Sequence, residues 1–247
     1  MTARVQFDFA GTTVLVTGAT SGIGHTTALL FRDAGADVIV TGTRPDAKDY
    51  DVELTGMQYR QLVLTDDESI SELVAGIASL DVLINNAGAN FPGGLDERSP
   101  EGFERSVALN LTAAYRLTRM LREKLAASTA TGGASVVNLA SMAALRAVPV
   151  VPGYGAAKAG IISLTRNLAV SWAADGIRVN AVAPGTVRTR MTAPMRPETA
   201  EAELAHIPLG RFGSADEIAP TIAFLCTEQS SYTTGAVFVA DGASDCF

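Results

Sequence analysis

Cysteine, histidine and tryptophan are scarce in this chain of 247 residues, which holds two, two and one of them. Cys226 and Cys246 have no metal-ligand spacing, and two thiols make no framework of bridges, so neither a metal site nor a disulfide scaffold is expected. Such cysteine usage suits a reducing compartment, and a cytoplasmic location is the natural reading. A basic excess is also missing. Lys and Arg number 19 against 26 Asp and Glu, a net charge of −7, which argues against non-specific binding to nucleic acid or to an anionic membrane. No run of about 18 apolar residues occurs, so no membrane span is expected. The first ten residues lack the apolar centre of a secretory signal. With 47% apolar and 18% charged residues, the composition is that of a compact globular chain rather than a disordered one.

What is present is an alternation of short β-branched runs with longer helical stretches. Strands are predicted at 12–17, 37–41, 59–64, 82–84, 135–139, 178–182 and 236–239. Helices are predicted at 22–34, 66–79, 100–127, 154–174 and 215–226. The strand runs are apolar on both faces, as in a parallel sheet covered by helices on both sides. No linker or repeat divides the chain. The expected fold is α/β: one Rossmann-type, doubly wound domain over 1–247, with about seven parallel strands. The proline-rich stretch 189–208, containing Pro194, Pro197 and Pro208, reads as the main irregular insertion, and a substrate lid is expected over about 188–213.

Two constellations carry chemistry. The first is the turn Thr17-Gly18-Ala19-Thr20-Ser21-Gly22-Ile23-Gly24, between a predicted strand and a predicted helix. In that context Gly18 permits a tight turn, Gly22 lets the backbone approach a pyrophosphate, and Gly24 allows close helix packing. The helix start at Ser21, Gly22 and Ile23 offers free N–H groups to phosphate. His25 beside it reads as structural or solvent-facing. Some 20 residues on, where NAD-binding folds place an acid, the chain has Thr41-Gly42-Thr43-Arg44. Thr43 and Arg44 suit a 2′-phosphate, which favours NADP over NAD, although Asp46 stands close enough to compete for the arginine.

The second is Tyr154 and Lys158, four residues apart and so on one helix face, with Ser141 thirteen residues earlier. A free phenol has a pKa of about 10, too high for a base at neutral pH. An adjacent ammonium, and a cationic nicotinamide ring, would stabilise the phenolate. Tyr154 would then exchange a proton with a carbonyl or alcohol oxygen while Ser141 holds that oxygen by a hydrogen bond.

In order along the chain stand the glycine turn, Asn85-Asn86-Ala87-Gly88, Ser141, Tyr154 with Lys158, and Pro184-Gly185. As a set, from about residue 11 to 242, they resemble the short-chain dehydrogenase/reductase family, with an overall look similar to members that reduce 3-oxoacyl thioesters. The resemblance implies an NAD(P)(H)-dependent enzyme interconverting a ketone and a secondary alcohol. It makes Asn110 the residue that kinks the long helix and holds a relay water. It places Asn86, Ala87 and Gly88 along the adenosine, and lets Lys158 bind the nicotinamide ribose. Pro184, Gly185 and Val187 would frame the nicotinamide, with Thr189 near the pyrophosphate. One departure is visible: the acid often found near the adenine is replaced by Val63, followed by Leu64, which leaves backbone contacts there. The substrate wall is sought among Asn90, Phe91, Pro92, Ala143, Leu145, Val148, Val151, Gly185, Met191 and Met195. A symmetric homotetramer built on the two long helices is also implied, with Phe103 and Trp172 buried either there or in the core. Two other classes stay open: a catalytically silent nucleotide-binding regulator, and an epimerase, lyase or dehydratase with a resident cofactor.

Overall fold

The computed structural model describes residues 5–246. Residues 1–4, which open the segment read against a secretory signal, and Phe247 lie outside them. Seven strands form one parallel sheet: β1 (Thr13–Val16), β2 (Asp37–Gly42), β3 (Gln58–Gln61), β4 (Val82–Asn85), β5 (Ala134–Leu139), β6 (Ile177–Pro184) and β7 (Val237–Ala240). Their order is β3-β2-β1-β4-β5-β6-β7. The order reverses at β1, where β4 pairs on the side away from β2. Crossovers on the two sides of that point run to opposite faces, and the crevice between the ends of β1 and β4 is where such sheets take ligands.

Helices α1 (Gly22–Asp33) and α7 (Ala215–Leu225) cover one face. Val14, Val16, Val38, Val40, Phe31 and Ile222 are packed in that layer. Helices α2 (Asp67–Ala75), α4 (Ala113–Ala126) and α5 (Pro152–Trp172) cover the other, over Leu15, Leu83, Val136 and Val179. The period-two strand pattern thus sends alternate residues into two separate cores, which is why every residue of β4, β5 and β6 is buried. Trp172 belongs to the second core and is only 5% exposed, while Phe103 stands 38% exposed. Of the two places left open for Trp172, the structure takes the core.

Three local features differ from the sequence expectation. The predicted strand 59–64 leaves the ladder after Gln61, and the Val63 N–H bonds the Ser69 hydroxyl instead. The predicted helix 100–127 is α3 (Pro100–Val107) joined to α4 through a π turn at Ala108–Thr112. The stretch read as irregular contains α6 (Pro197–Ala205), with Pro197 in its first turn, where a missing N–H costs nothing.

The β5–β6–β7 edge is pinned by Arg178, a cation only 6% exposed. Its guanidinium donates to the carbonyls of Gly132, Leu225, Thr227, Ser230 and Thr233 at 2.9–3.3 Å. Among the described residues no carboxylate pairs with it; carbonyls and the Ser230 hydroxyl offset its burial, which pulls its pKa below the ordinary value. Replacing Arg178 with Met would strand these acceptors. A stability loss of about 3–5 kcal/mol is expected, measured by urea unfolding.

Candidate active site

The switch point is tied together by polar side chains. The Thr17 hydroxyl at the end of β1 donates to the Ile84 carbonyl of β4 and accepts from the N–H groups of Asn86 and Ala87. Asn86 Nδ2 returns to the carbonyls of Thr17 and Gly18, at 2.9 and 3.1 Å. Strand ends and glycine turn therefore form one hydrogen-bonded unit. Gly18 has φ +64°, and a Cβ there would meet Ala87 Cα at 2.8 Å. A Cβ on Gly24 would lie 2.2 Å from Asn86 Nδ2. Gly24 thus makes room for the asparagine brace, where close helix packing was the expected reason.

A cavity of about 510 Å³ opens over this unit. Gly18, Ser21, Gly22 and Ile23 form one side, and Asn86, Ala87 and Gly88 the floor. Thr43 and Leu64 stand at one end; Pro184, Gly185, Val187 and Thr189 line the other with Ser141, Tyr154 and Lys158. Ser21 caps α1 without a side-chain bond, leaving the first-turn amides uncapped by it. A Cβ on Gly22 would touch Thr189 at 3.1–3.2 Å. Size, glycine floor and donor set all fit a dinucleotide.

Three of the expected residues do not line the cavity: Gly24, Asn110 and Arg44. Asn110 is a buttress behind it. Its Oδ1 accepts from the Ala89 N–H at 3.0 Å, and its Nδ2 donates to the carbonyls of Ala89 and Ser106 at 2.9 Å. The bond to Ser106 joins α3 to the widened turn, where the side chain satisfies a backbone acceptor. Arg44 sits beyond the Thr43 end, where Asp46 does not take it; Asp46 pairs with Lys48. His25 is bound to the Glu53 carbonyl through Nε2.

At the reactive end Lys158 is 4% exposed, and its Nζ donates to the Leu139 carbonyl at 2.6 Å. It lies 5.4 Å from the centre of the Tyr154 ring. Burial depresses the lysine pKa to about 8. Burial pushes the Tyr154 phenol up to about 12, against the Ser141 hydroxyl, which lowers it, and with the charge of Glu97, which raises it. With burial as the leading cause, the phenol keeps its proton at neutral pH.

Sequence reasoning missed Glu97. It is fully buried, and its two oxygens accept from the N–H groups of Phe91 at 2.8 Å and Tyr154 at 2.7 Å. One carboxylate thus joins the positive-φ residue Phe91 to the first turn of α5. Within Asp96-Glu97-Arg98-Ser99 it reads as a solvated loop, and only its partner 57 residues away shows otherwise. Glu203 of α6 was also missed. Its Oε1 takes the Thr186 hydroxyl at 2.6 Å and pairs with Arg146. Of the proposed substrate wall, Asn90, Ala143, Val148, Val151, Met191 and Met195 line the cavity. Leu145 is 44% exposed and points elsewhere, and Phe91 and Pro92 are likewise outside the lining.

Among known proteins, the family described as Enoyl-(Acyl carrier protein) reductase matches residues 18–243. The chain is 36% identical over 241 residues to the 3-oxoacyl-[acyl-carrier-protein] reductase FabG of Thermotoga maritima, covering 94% of this chain and 97% of the relative. It is 35% identical to the cyclohexanol dehydrogenase of an Acinetobacter species, over 95% of each chain. The Pseudomonas aeruginosa RhlG/NADP active-site complex superposes with a TM-score of 0.86 at 30% identity, covering 98% of this chain and all of that one. Fold and relatives together define a dinucleotide-fold oxidoreductase. The chain belongs to the short-chain dehydrogenase/reductase family and is similar to its 3-oxoacyl-[acyl-carrier-protein] reductases.

The depressed lysine sets a pH signature. The folded chain releases this proton near pH 8 and the unfolded chain near 10.5. The cost of housing the ammonium is thus fully present below pH 8 and is relieved as pH rises from 8 to 10.5. Lys158→Met should stabilise the cofactor-free protein by roughly 1–3 kcal/mol at pH 7. The difference should vanish by pH 10.5, as followed by thermal melts across pH.

Proposed function

We propose that this enzyme uses NADP(H) to interconvert a ketone and a secondary alcohol, with Tyr154 as the proton-transfer group. The observation that carries the reading is a buried ammonium, Lys158, with no carboxylate partner among the described residues, beside a phenol in an apolar-walled cavity. A bound nicotinamide supplies or accepts the hydride. In reduction Tyr154 donates its proton to the carbonyl oxygen, and Ser141 holds that oxygen. In oxidation Tyr154 takes the alcohol proton, with the phenolate stabilised by Lys158 and by the oxidised ring's positive charge. Lys158 also binds the nicotinamide ribose, and Asn110 keeps the Ala89 backbone in place and holds a relay water.

The remaining contacts follow the cavity. Gly18, Ser21, Gly22, Ile23 and Thr189 cradle the pyrophosphate, with Gly24 supporting the turn. Asn86, Ala87, Gly88 and Leu64 bound the adenosine, and Thr43 and Arg44 receive the 2′-phosphate. Pro184, Gly185 and Val187 frame the nicotinamide. The segment 188–213 is the substrate lid, with α6 its rigid part, closed by the Arg146–Glu203–Thr186 contact. The walls from Ala143, Val148, Val151, Met191 and Met195 suit a largely apolar carbonyl compound. Relatives named for thioester and cyclohexanol substrates are consistent with that class. Phe103, Tyr115 and Val170, exposed on α3, α4 and α5, support assembly into a homotetramer.

Tyr154→Phe should cut turnover by about 10²–10⁴-fold while NADPH affinity, measured by fluorescence titration, stays within about twofold. Undiminished activity would refute the mechanism. Arg44→Ala should weaken NADPH by about tenfold or more and leave NADH nearly unchanged; equal losses would refute the NADP reading. A nucleotide retained through purification, with no net change at the reduced-nicotinamide absorbance band, would move the protein to the epimerase class.

A further inference from the structure

Three side chains grip the backbone of the turn that carries Arg44. The Tyr50 hydroxyl accepts from the Arg44 N–H at 2.7 Å. The Tyr59 hydroxyl donates to the Arg44 carbonyl. Gln61 Nε2 donates to the Thr43 carbonyl at 3.0 Å. Both peptide groups flanking Arg44 are therefore fixed from the β3 side and from the loop that follows β2. The two tyrosine rings stand 5.9 Å apart, so each supports the other.

The same cluster holds the arginine head. The guanidinium lies 5.0 Å above the Tyr50 ring centre, and its Nη1 donates to the Asp49 carbonyl. Asp46 and Asp49 close their own turn as a capping box, and Asp46 also meets Lys48. A guanidinium has five N–H donors. A carbonyl and a ring face occupy few of them and cancel none of the charge. Arg44 is thus oriented in advance yet uncompensated, a state that binds an anion without breaking an ion pair or freezing a free side chain. Gly42 permits the arrangement, since a Cβ there would lie 2.6 Å from the Tyr50 hydroxyl and 2.7 Å from Thr20 Cγ2.

We propose that Tyr50, assisted by Tyr59, is a specificity-determining positioning residue that holds Arg44 for the 2′-phosphate and so sets the preference for NADP(H) over NAD(H). The proposal rests on the reading of Arg44 as the phosphate receiver. A merely structural clamp would weaken both cofactors alike; this one discriminates between them.

The test is direct binding to the full-length protein of NADPH and NADH, and of 2′,5′-ADP and 5′-AMP as probes lacking the nicotinamide. Tyr50→Phe keeps the ring and removes one hydrogen bond, and should weaken NADPH and 2′,5′-ADP by about 3–10-fold. NADH and 5′-AMP should change by less than about twofold. Tyr50→Leu, which also removes the ring, should lose about tenfold or more in NADPH affinity. In an Arg44→Ala background Tyr50→Phe should add nothing, because the group it positions is gone. If Arg44→Ala is selective for NADPH but Tyr50→Phe affects both cofactors equally, or neither, the clamp is overturned and the phosphate reading stands. If Arg44→Ala itself weakens both cofactors equally, the two fall together.

Discussion

The site depends on how closely β1 and β4 end beside each other. Thr17 serves three partners with one hydroxyl, and Asn86 returns two donors to the turn that Thr17 begins. That exchange satisfies backbone groups that the reversal of strand order would leave unpaired at the crevice. It also leaves no space for side chains, so Gly18 and Gly24 follow from the hydrogen bonds as much as from any ligand. The open floor under the cavity is then a by-product of closing the switch point between β1 and β4.

Burial governs the reactive end in a comparable way. The apolar walls that exclude water raise the phenol and lower the ammonium, each in the direction of its neutral form. Glu97 adds negative charge at the base of Tyr154 while supplying acceptors to two amides. In the chain as it stands the phenol therefore keeps its proton. Positive charge placed beside the phenol would lower it, by the same electrostatics through which Glu97 raises it.

Strand runs, glycine turn and the Tyr154–Lys158 spacing were legible because each is local: period two, a positive-φ turn, one helical turn. The layering was legible too, because apolar residues on both strand faces permit only a covered parallel sheet. What stayed hidden was settled at long range. The run 59–64 reads as one strand, but Leu62 and Leu64 line the cavity once Ser69 takes the Val63 amide. Pro194, Pro197 and Pro208 masked α6, although a proline in the first turn favours a helix. Glu97 and Glu203 looked like solvated acids because nothing nearby in sequence marks the amides, hydroxyl and guanidinium that meet them. The depth of the pocket, which raises the phenol and lowers the ammonium, was also beyond a spacing argument.

Arg178 holds the β5–β6–β7 edge through neutral oxygens, five carbonyls and the Ser230 hydroxyl. Such acceptors do not titrate, and salt has no counter-charge there to screen. The loop after β6, which borders the reactive end, is therefore anchored to an edge whose stiffness is insulated from acidity and ionic strength. A strand that carries titratable chemistry past one end is thus framed at its other end by contacts that protons do not reach.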